Sequence, residues 1–252
     1  MVILLLTACI NPQDVPFTVL NNQEERRRQY IEALEYYLSN TNYKIVFAEN
    51  SNTDISYAFS KEIEAGRLEY LTFKGNKYKS RGKGYGECEI IEHALKHSSI
   101  IGNKKHLRIV KITGRLVVKN IKHVVCVHSL CFPQKAVLCA INSDLSFPDS
   151  RVVMASKSFF LKLIEMKYKI NDTIGYYFEH ALLDTMVKEK KYPYSPFYIQ
   201  PDIVGISGST GEIYESSNNG ISYHYKYLKY AVSLRFKFKK KYFSTDNSLH
   251  NN

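Results

Sequence analysis

The feature that most constrains this chain is the alternation, over its first 115 residues, of short apolar runs with longer amphipathic ones. Runs at 2–10, 43–48, 68–73 and 107–112 are short, the first of them with several β-branched residues, and they read as strands. After Asn22 a helical pattern sets Tyr30, Ile31, Leu34, Tyr37 and Leu38 on one face. Residues 54–65 and 87–97 repeat that pattern, the second with Ile90, Ile91, Ala94 and Leu95 inward. Strand–helix repeats of this kind close by right-handed crossovers, so the expected fold is α/β with a mostly parallel sheet flanked by helices. The first run is apolar without a break, as a strand buried on both faces requires, and Asn11-Pro12 ends it. Asn22 followed by Glu25 has the form of a capping box with an amide cap.

From residue 122 the alternation fades. Stretches 124–127 and 136–141 read as strands, 158–166 and 173–188 as helices, and 205–211 as a glycine/serine loop. No repeat or low-complexity linker divides the chain, so 1–221 forms one domain with an irregular α+β second half. No apolar run approaches the roughly 20 residues that span a bilayer. Leu6-Thr7-Ala8-Cys9 has the form of a lipoprotein cleavage box, but only five apolar residues and no Lys or Arg precede Thr7. The strand reading is therefore preferred. Five cysteines, an odd number, favour a reducing compartment and a cytoplasmic location.

Charge is concentrated at one end. Residues 216–245 hold seven Lys and Arg and no Asp or Glu, out of a net charge of +11. On a helix over 222–243, Tyr223, Tyr227, Tyr230, Leu234 and Phe238 form an aromatic stripe beside Lys226, Lys229, Lys237 and Lys240. That profile suits a helix lying on an anionic membrane surface, and residues 222–252 are set apart as a basic aromatic tail. The alternative is a helix docked on the body with a solvated Lys face.

Ligands of open parallel sheets bind beyond the carboxyl ends of the strands. This places Thr7, Asn11, Glu49, Asn50, the stretch 73–86, Lys111 and Arg115 on one rim. Gly82-Lys83-Gly84-Tyr85-Gly86, preceded by Arg81 and running into a helix at Glu87, offers backbone amides, a positive helix end and two cations to a phosphate or diphosphate. It lacks the Gly-Lys-Ser/Thr ending of a P-loop and the position of a Rossmann fingerprint, and a plain basic loop is the alternative. Arg115 suits a phosphate clamp or a structural ion pair. Glu49 suits ribose hydroxyls or a turn.

Asp144 and Asp149, with Arg151 downstream, suit a divalent cation, a sugar hydroxyl or merely a turn. Glu179, followed by His180 in an apolar helix, is a candidate general base or a Lys-paired surface residue. Ser207 and Ser209 lie in a loop able to close over a ligand, and Gly205-Ile206-Ser207-Gly208-Ser209 is not a nucleophile elbow because its fifth residue is Ser. His123, Cys126, His128 and Cys131 match no usual zinc spacing, and on a strand His123 faces away from Cys126 and His128.

The order of these features resembles a family. A first strand with a polar tip leads to a basic helix with Arg26, Arg27 and Arg28, then to Glu49-Asn50-Ser51. Ser80-Arg81-Gly82-Lys83-Gly84-Tyr85-Gly86-Glu87 and Ile109-Val110-Lys111-Ile112-Thr113-Gly114-Arg115 follow. Over roughly 1–215 this is similar to small bacterial GT-A-type glycosyltransferases encoded with capsule and lipopolysaccharide genes. The resemblance implies a GT-A-like sheet, with a nucleotide-sugar donor, foremost a UDP-sugar, held by 1–121 and a saccharide acceptor by 122–221. Donor contacts fall on Thr7, Asn11, Asn50, Arg81, Lys83, Gly84, Lys111 and Arg115, with Glu49 on the nucleoside. Acceptor contacts fall on Asp144, Asp149, Arg151, His180, Ser207 and Ser209, and Glu179 is the base.

Such enzymes usually carry an Asp-x-Asp motif for Mg or Mn after the fourth strand, and this sequence has none. Either Arg and Lys neutralise the leaving diphosphate, which is preferred, or ligands gather around Asp144 and Asp149. The tail adds a lipid-linked acceptor and a place on the inner face of the cytoplasmic membrane. Two rivals stay open. A nucleotidyltransferase shares the sheet and basic loop but ordinarily needs paired carboxylates and Mg²⁺. A non-enzymatic nucleic-acid binder accounts for the tail and leaves the body without a task; no nucleic-acid partner is expected.

Overall fold

Strand β1 (Val2–Ala8) lies at the heart of the sheet because its side chains are apolar on both faces. In the computed structural model, which describes residues 1–244 apart from 14, 17, 103, 105, 209 and 217–219, it pairs in parallel with β2 (Lys44–Glu49) and β4 (Arg108–Thr113). Leu4 lies opposite Ile45 on one side and Val110 on the other. Ile3 and Leu5 enter one core while Leu4 and Leu6 enter the other, as the period of two dictates. All four are fully buried; each contributes about 1.5–3 kcal/mol.

The sheet has seven strands in the order β3-β2-β1-β4-β7-β6-β8, where β3 is Leu68–Thr72, β6 Val137–Leu138, β7 Val152–Ser156 and β8 Tyr194–Ser195. β7 runs antiparallel to β4 and β6, and the other neighbours are parallel. Helices α3 (Lys83–His97), α5 (Lys157–Ile164) and α6 (Phe178–Lys188) cover one face. Helices α1 (Gln23–Asn40) and α4 (Ile121–Cys131) cover the other. This is the expected α/β class. A second sheet, ordered β10-β9-β5, joins β5 (Val117–Val118), β9 (Ile203–Ile206) and β10 (Ile213–Tyr214). Asn22 caps α1 through Oδ1, which accepts the Glu25 N–H at 3.0 Å, while Glu25 itself turns to Arg28 and Gln29.

Several local expectations give way to tertiary contacts. The predicted helix at 54–65 is a 3₁₀ turn, Ser56–Phe59, followed by the short α2 (Ser60–Glu64). Stretch 124–127 is helical, because Ile121, Val124, Val125 and His128 fall on one buried face of α4. The His128 Nδ1 lies 2.6 Å from the Val124 carbonyl, and Nε2 accepts the Tyr198 N–H at 2.6 Å. Burial pushes its pKa down, so it is a neutral core residue, while Cys126 and Cys131 face solvent. The predicted helix at 173–188 starts only at Phe178, since Gly175, with φ +79°, turns the chain. The predicted strand at 136–141 shortens to β6.

Helix α3 begins at Lys83, four residues earlier than expected, so Gly84 and Gly86 belong to its first turn. Close approach explains Gly84: a Cβ there would lie 2.6 Å from the Asp172 Oδ1 and 3.0 Å from the Phe178 N. Gly82 precedes the helix with φ +90°.

The tail forms α7 (Ile221–Phe243). The C-terminal part of its aromatic stripe, expected to face lipid, turns toward the body: Leu234 and Phe238 are buried, with Ala231 beside them, and the Phe238 ring lies 4.3 Å from that of Tyr194, while Tyr223 and Tyr230 stay exposed. Docking wins because the stripe meets the apolar edge of the sheet at β8. No described helix is long and apolar enough to cross a membrane.

Candidate functional site

The carboxyl ends of β1 and β4 open into a cleft of about 240 Å³, walled by the first turns of α1, α3 and α6 and by the β9–β10 hairpin. Of the residues singled out in the sequence, Thr7, Asn50, Lys83, Gly84, Lys111, Arg115, Arg151, Glu179 and Ser207 line it. Asn11, Glu49, Arg81, Asp144, Asp149 and His180 do not, and Ser209 lies outside the described residues.

The floor is a chain of polar contacts. The Thr7 hydroxyl donates to Glu87 Oε1 at 2.8 Å, and the same carboxylate oxygen pairs with the Lys111 ammonium. Lys111, 1% exposed, also donates to the Ser150 carbonyl at 2.8 Å. The Ser150 hydroxyl in turn donates to Glu179 Oε1 at 2.6 Å. The network spans 7 to 179 in sequence, and Glu87 and Ser150 were not among the expected site residues.

Arg115 closes the β4 end. Its guanidinium donates to Gln29 Oε1 at 3.2 Å and to the Ile206 carbonyl at 2.9 Å, and lies 5.9 Å from the Tyr30 ring centre. Arg26 joins the wall, donating to the carbonyls of Cys9 and Leu20 at 2.8 and 3.1 Å. Burial pushes the Cys9 thiol up to about 11, so it is protonated and unreactive at neutral pH.

The glycine stretch departs most from expectation. Asp172 occupies the start of α3, accepting N–H bonds from Gly84 at 3.0 Å and from Lys83. The amides and the positive helix end expected to hold phosphate therefore hold a carboxylate of the chain itself. Burial raises the Asp172 pKa against the opposing pull of those amides and of Lys83. Burial likewise draws the Lys83 pKa down, opposed by Asp172 and Glu179. Arg81 points away from the cleft, donating to the Ile170 carbonyl at 2.9 Å and to that of Tyr168, and so anchors the segment that delivers Asp172.

Other expected contacts are absorbed by structure. Glu49 is fully buried and accepts N–H bonds from Ile10, Ser51 and Thr53 at 3.0, 2.8 and 3.0 Å. The hydroxyls of Thr72 and Ser51 complete its shell, leaving nothing for a ribose. Asn11 gives its N–H to the Ser51 hydroxyl at 3.0 Å. Asp144 forms an exposed turn with Ser146, whose hydrogen bonds lower its pKa. Asp149 forks onto Arg151, with contacts of 2.6 to 3.0 Å, and lines a second cavity of about 140 Å³ beside α7 that Arg151 also borders. His180 Nδ1 accepts the Tyr177 N–H at 3.0 Å and caps α6. Ser207 shapes the β9–β10 hairpin, its hydroxyl accepting the Thr210 N–H at 3.2 Å.

Three buried polar atoms on cleft-lining residues have no hydrogen-bond partner: Asn50 Oδ1, Arg115 Nε and Asp172 Oδ1. Asn50 has spent its Nδ2 on Asn76 Oδ1 at 2.9 Å. Arg27 Nε and Arg108 Nε, on residues that do not line the cleft, are likewise without a hydrogen-bond partner, so an orphan costing about 1–3 kcal/mol does not by itself mark the site.

The donor set does not fit Mg or Mn. Thr113, Gly114 and Arg115 stand at the end of β4, and no group of three His, Cys, Asp or Glu among the described residues is placed to hold a metal ion. Glu87 is tied to Lys111, Asp172 to two backbone amides and Glu179 to Ser150.

No family model matches the chain, and no curated protein matches it in sequence. Its fold is similar to solved structures. The glycosyltransferase GlyE of Streptococcus pneumoniae has 12% identity and a TM-score of 0.48, over 98% of this chain and 66% of that one. A cytidylyltransferase from Leptospira borgpetersenii has 11% identity and a TM-score of 0.44, over 97% and 98% of the two chains. Mouse xyloside xylosyltransferase 1 has 11% identity and a TM-score of 0.41, over 75% and 82%. Likenesses this distant assign no activity.

Proposed function

We propose that the protein is a glycosyltransferase, moving a sugar from a nucleotide-sugar donor, foremost a UDP-sugar, to a saccharide hydroxyl. The observation that carries this reading is the cleft at the sheet's carboxyl edge, lined together by Asn50, Lys83, Arg115, Asp172 and Glu179. Sugar transfer needs a diphosphate leaving group neutralised, a hydroxyl deprotonated and water excluded. Arg115 and Lys83 supply fixed positive charge for the diphosphate, and Asn50 Oδ1 accepts an N–H or O–H of the nucleoside.

Glu179, oriented by Ser150, takes the acceptor hydroxyl's proton as that oxygen attacks the anomeric carbon. The bond to the diphosphate breaks, and its electron pair leaves with the nucleoside diphosphate. Arg151 and Ser207 border the acceptor side. A growing bacterial surface polysaccharide or lipooligosaccharide, carried on lipid at the cytoplasmic face of the membrane, is the proposed acceptor.

A saturation-transfer screen against UDP-, GDP-, CMP- and dTDP-sugars, with and without Mn²⁺, tests the reading. Binding of one donor class is expected, and binding of none removes the proposal. Release of pyrophosphate from a nucleoside triphosphate in place of nucleoside diphosphate from a sugar donor would identify a nucleotidyltransferase. Glu179→Gln is expected to abolish transfer while donor binding persists. Unaltered turnover eliminates Glu179 as the base.

A further inference from the structure

Helix α7 carries a second apolar stripe that the body does not cover. Ile221, Tyr225, Leu228, Val232 and Phe236 follow one another at steps of three or four residues and so share one face. Ile221 is 90% exposed, Phe236 68%, Tyr225 58% and Leu228 38%, with Val232 half-buried in the same row. A solitary exposed apolar side chain is ordinary, but a continuous row along a helix of 23 residues is not.

The helix presenting this row is fastened down. Leu234 and Phe238 sit in the core, Tyr242 donates to the Leu145 carbonyl at 2.8 Å, and Lys241 donates to that of Asp144 at 2.7 Å. Arg235 donates to the Tyr198 hydroxyl at 3.1 Å. Beside the row stand Lys226, Lys229, Lys237 and Lys240, all exposed, and the helix has no acidic residue. The Lys229 ammonium lies 4.4 Å from the Tyr225 ring, so the basic and apolar stripes adjoin.

We infer that this outward face of α7 binds the surface of an anionic lipid bilayer, with Ile221, Leu228 and Phe236 entering the acyl boundary and the four lysines on the headgroups. The stripe of Tyr223, Tyr227, Tyr230, Leu234 and Phe238 is excluded as the lipid face, because its C-terminal members Leu234 and Phe238 are buried against the body. The aliphatic members decide between partners. On a nucleic-acid backbone they gain nothing, and against a second copy the lysine rows repel; a bilayer satisfies both rows at once. The inference is independent of the catalytic reading.

The test is co-sedimentation of the full chain with phosphatidylcholine vesicles containing about one-third phosphatidylglycerol, against pure phosphatidylcholine, at low and high salt. Binding is expected only with the anionic lipid and only at low salt. Replacing Lys226, Lys229, Lys237 and Lys240 by Ser should weaken it by roughly a hundred-fold or more, at about 1 kcal/mol per charge. Replacing Ile221, Leu228 and Phe236 by Ser should weaken it by at least about ten-fold.

All these side chains are exposed, so the melting temperature should hold. The chain has no Trp, so Phe236→Trp provides a single reporter whose fluorescence brominated lipid should quench. Absence of quenching, equal binding to neutral vesicles, or retention only on duplex oligonucleotide or as a dimer overturns the inference.

Discussion

Lys111 is the most deeply buried cation of the cleft, and replacing it tests whether the floor network holds the molecule together. At 1% exposure it pairs with Glu87 and donates to the Ser150 carbonyl at 2.8 Å. Lys111→Met keeps the stem's volume and strips both partners. Glu87 then retains the Thr7 hydroxyl, and the Ser150 carbonyl loses this donor. Breaking a buried pair from one side costs about 3–5 kcal/mol. The Glu87 side chain is 22% exposed and recovers some hydration. The lower end, about 3 kcal/mol, is therefore expected.

That is a large share of a domain's roughly 5–15 kcal/mol, and it should be visible in urea unfolding. With a slope of about 3 kcal/mol per M, the midpoint falls by roughly 1 M. Adding Glu87→Gln removes the stranded charge and should restore about 1–2 kcal/mol. A loss below about 1 kcal/mol, or two changes that simply add, would refute the claim that the pair is coupled and structural.

Two further substitutions test other joints. Asp172 has a folded pKa raised by burial, so the stability it contributes is present below its unfolded pKa and is lost as pH rises through the folded value. Asp172→Asn removes that titration, and urea melts should show the variant gaining on the wild type from acid to neutral pH; a gap that does not change with pH would remove the assignment. Phe238→Ala should cost about 3–5 kcal/mol and open α7 to proteolysis, since the ring is 1% exposed against the sheet edge. A cost below about 1 kcal/mol with unchanged digestion would show that α7 is not docked through that ring.

The first half of the fold is legible because its signals are local. The runs at 2–10, 43–48, 68–73 and 107–112 coincide with β1, β2, β3 and β4 to within a residue or two. Where both readings of a run are locally acceptable, tertiary packing arbitrates. Val124-Val125-Cys126-Val127 has the composition of a strand, yet becomes α4 because Ile121 and His128 complete a buried helical face. The site was legible in position and not in detail. The carboxyl-edge rule brings Thr7, Asn50, Lys83, Lys111 and Arg115 together, but cannot say that Glu49 is consumed by its own loop. Glu87 was available as the helix-opening acid beside the glycine stretch; Asp172 carried no comparable signal.

By itself, then, the sequence determined the α/β alternation, the edge of the sheet where a ligand fits and the presence of an amphipathic basic helix, because each is written in spacing along the chain. Only the tertiary structure decided what meets those features. Asp172 fills the start of α3 from 88 residues away, and the body buries Leu234 and Phe238 of α7 while leaving Ile221 and Phe236 bare. Periodicity specifies a face, and which surface covers it depends on contacts between segments that share no sequence neighbourhood.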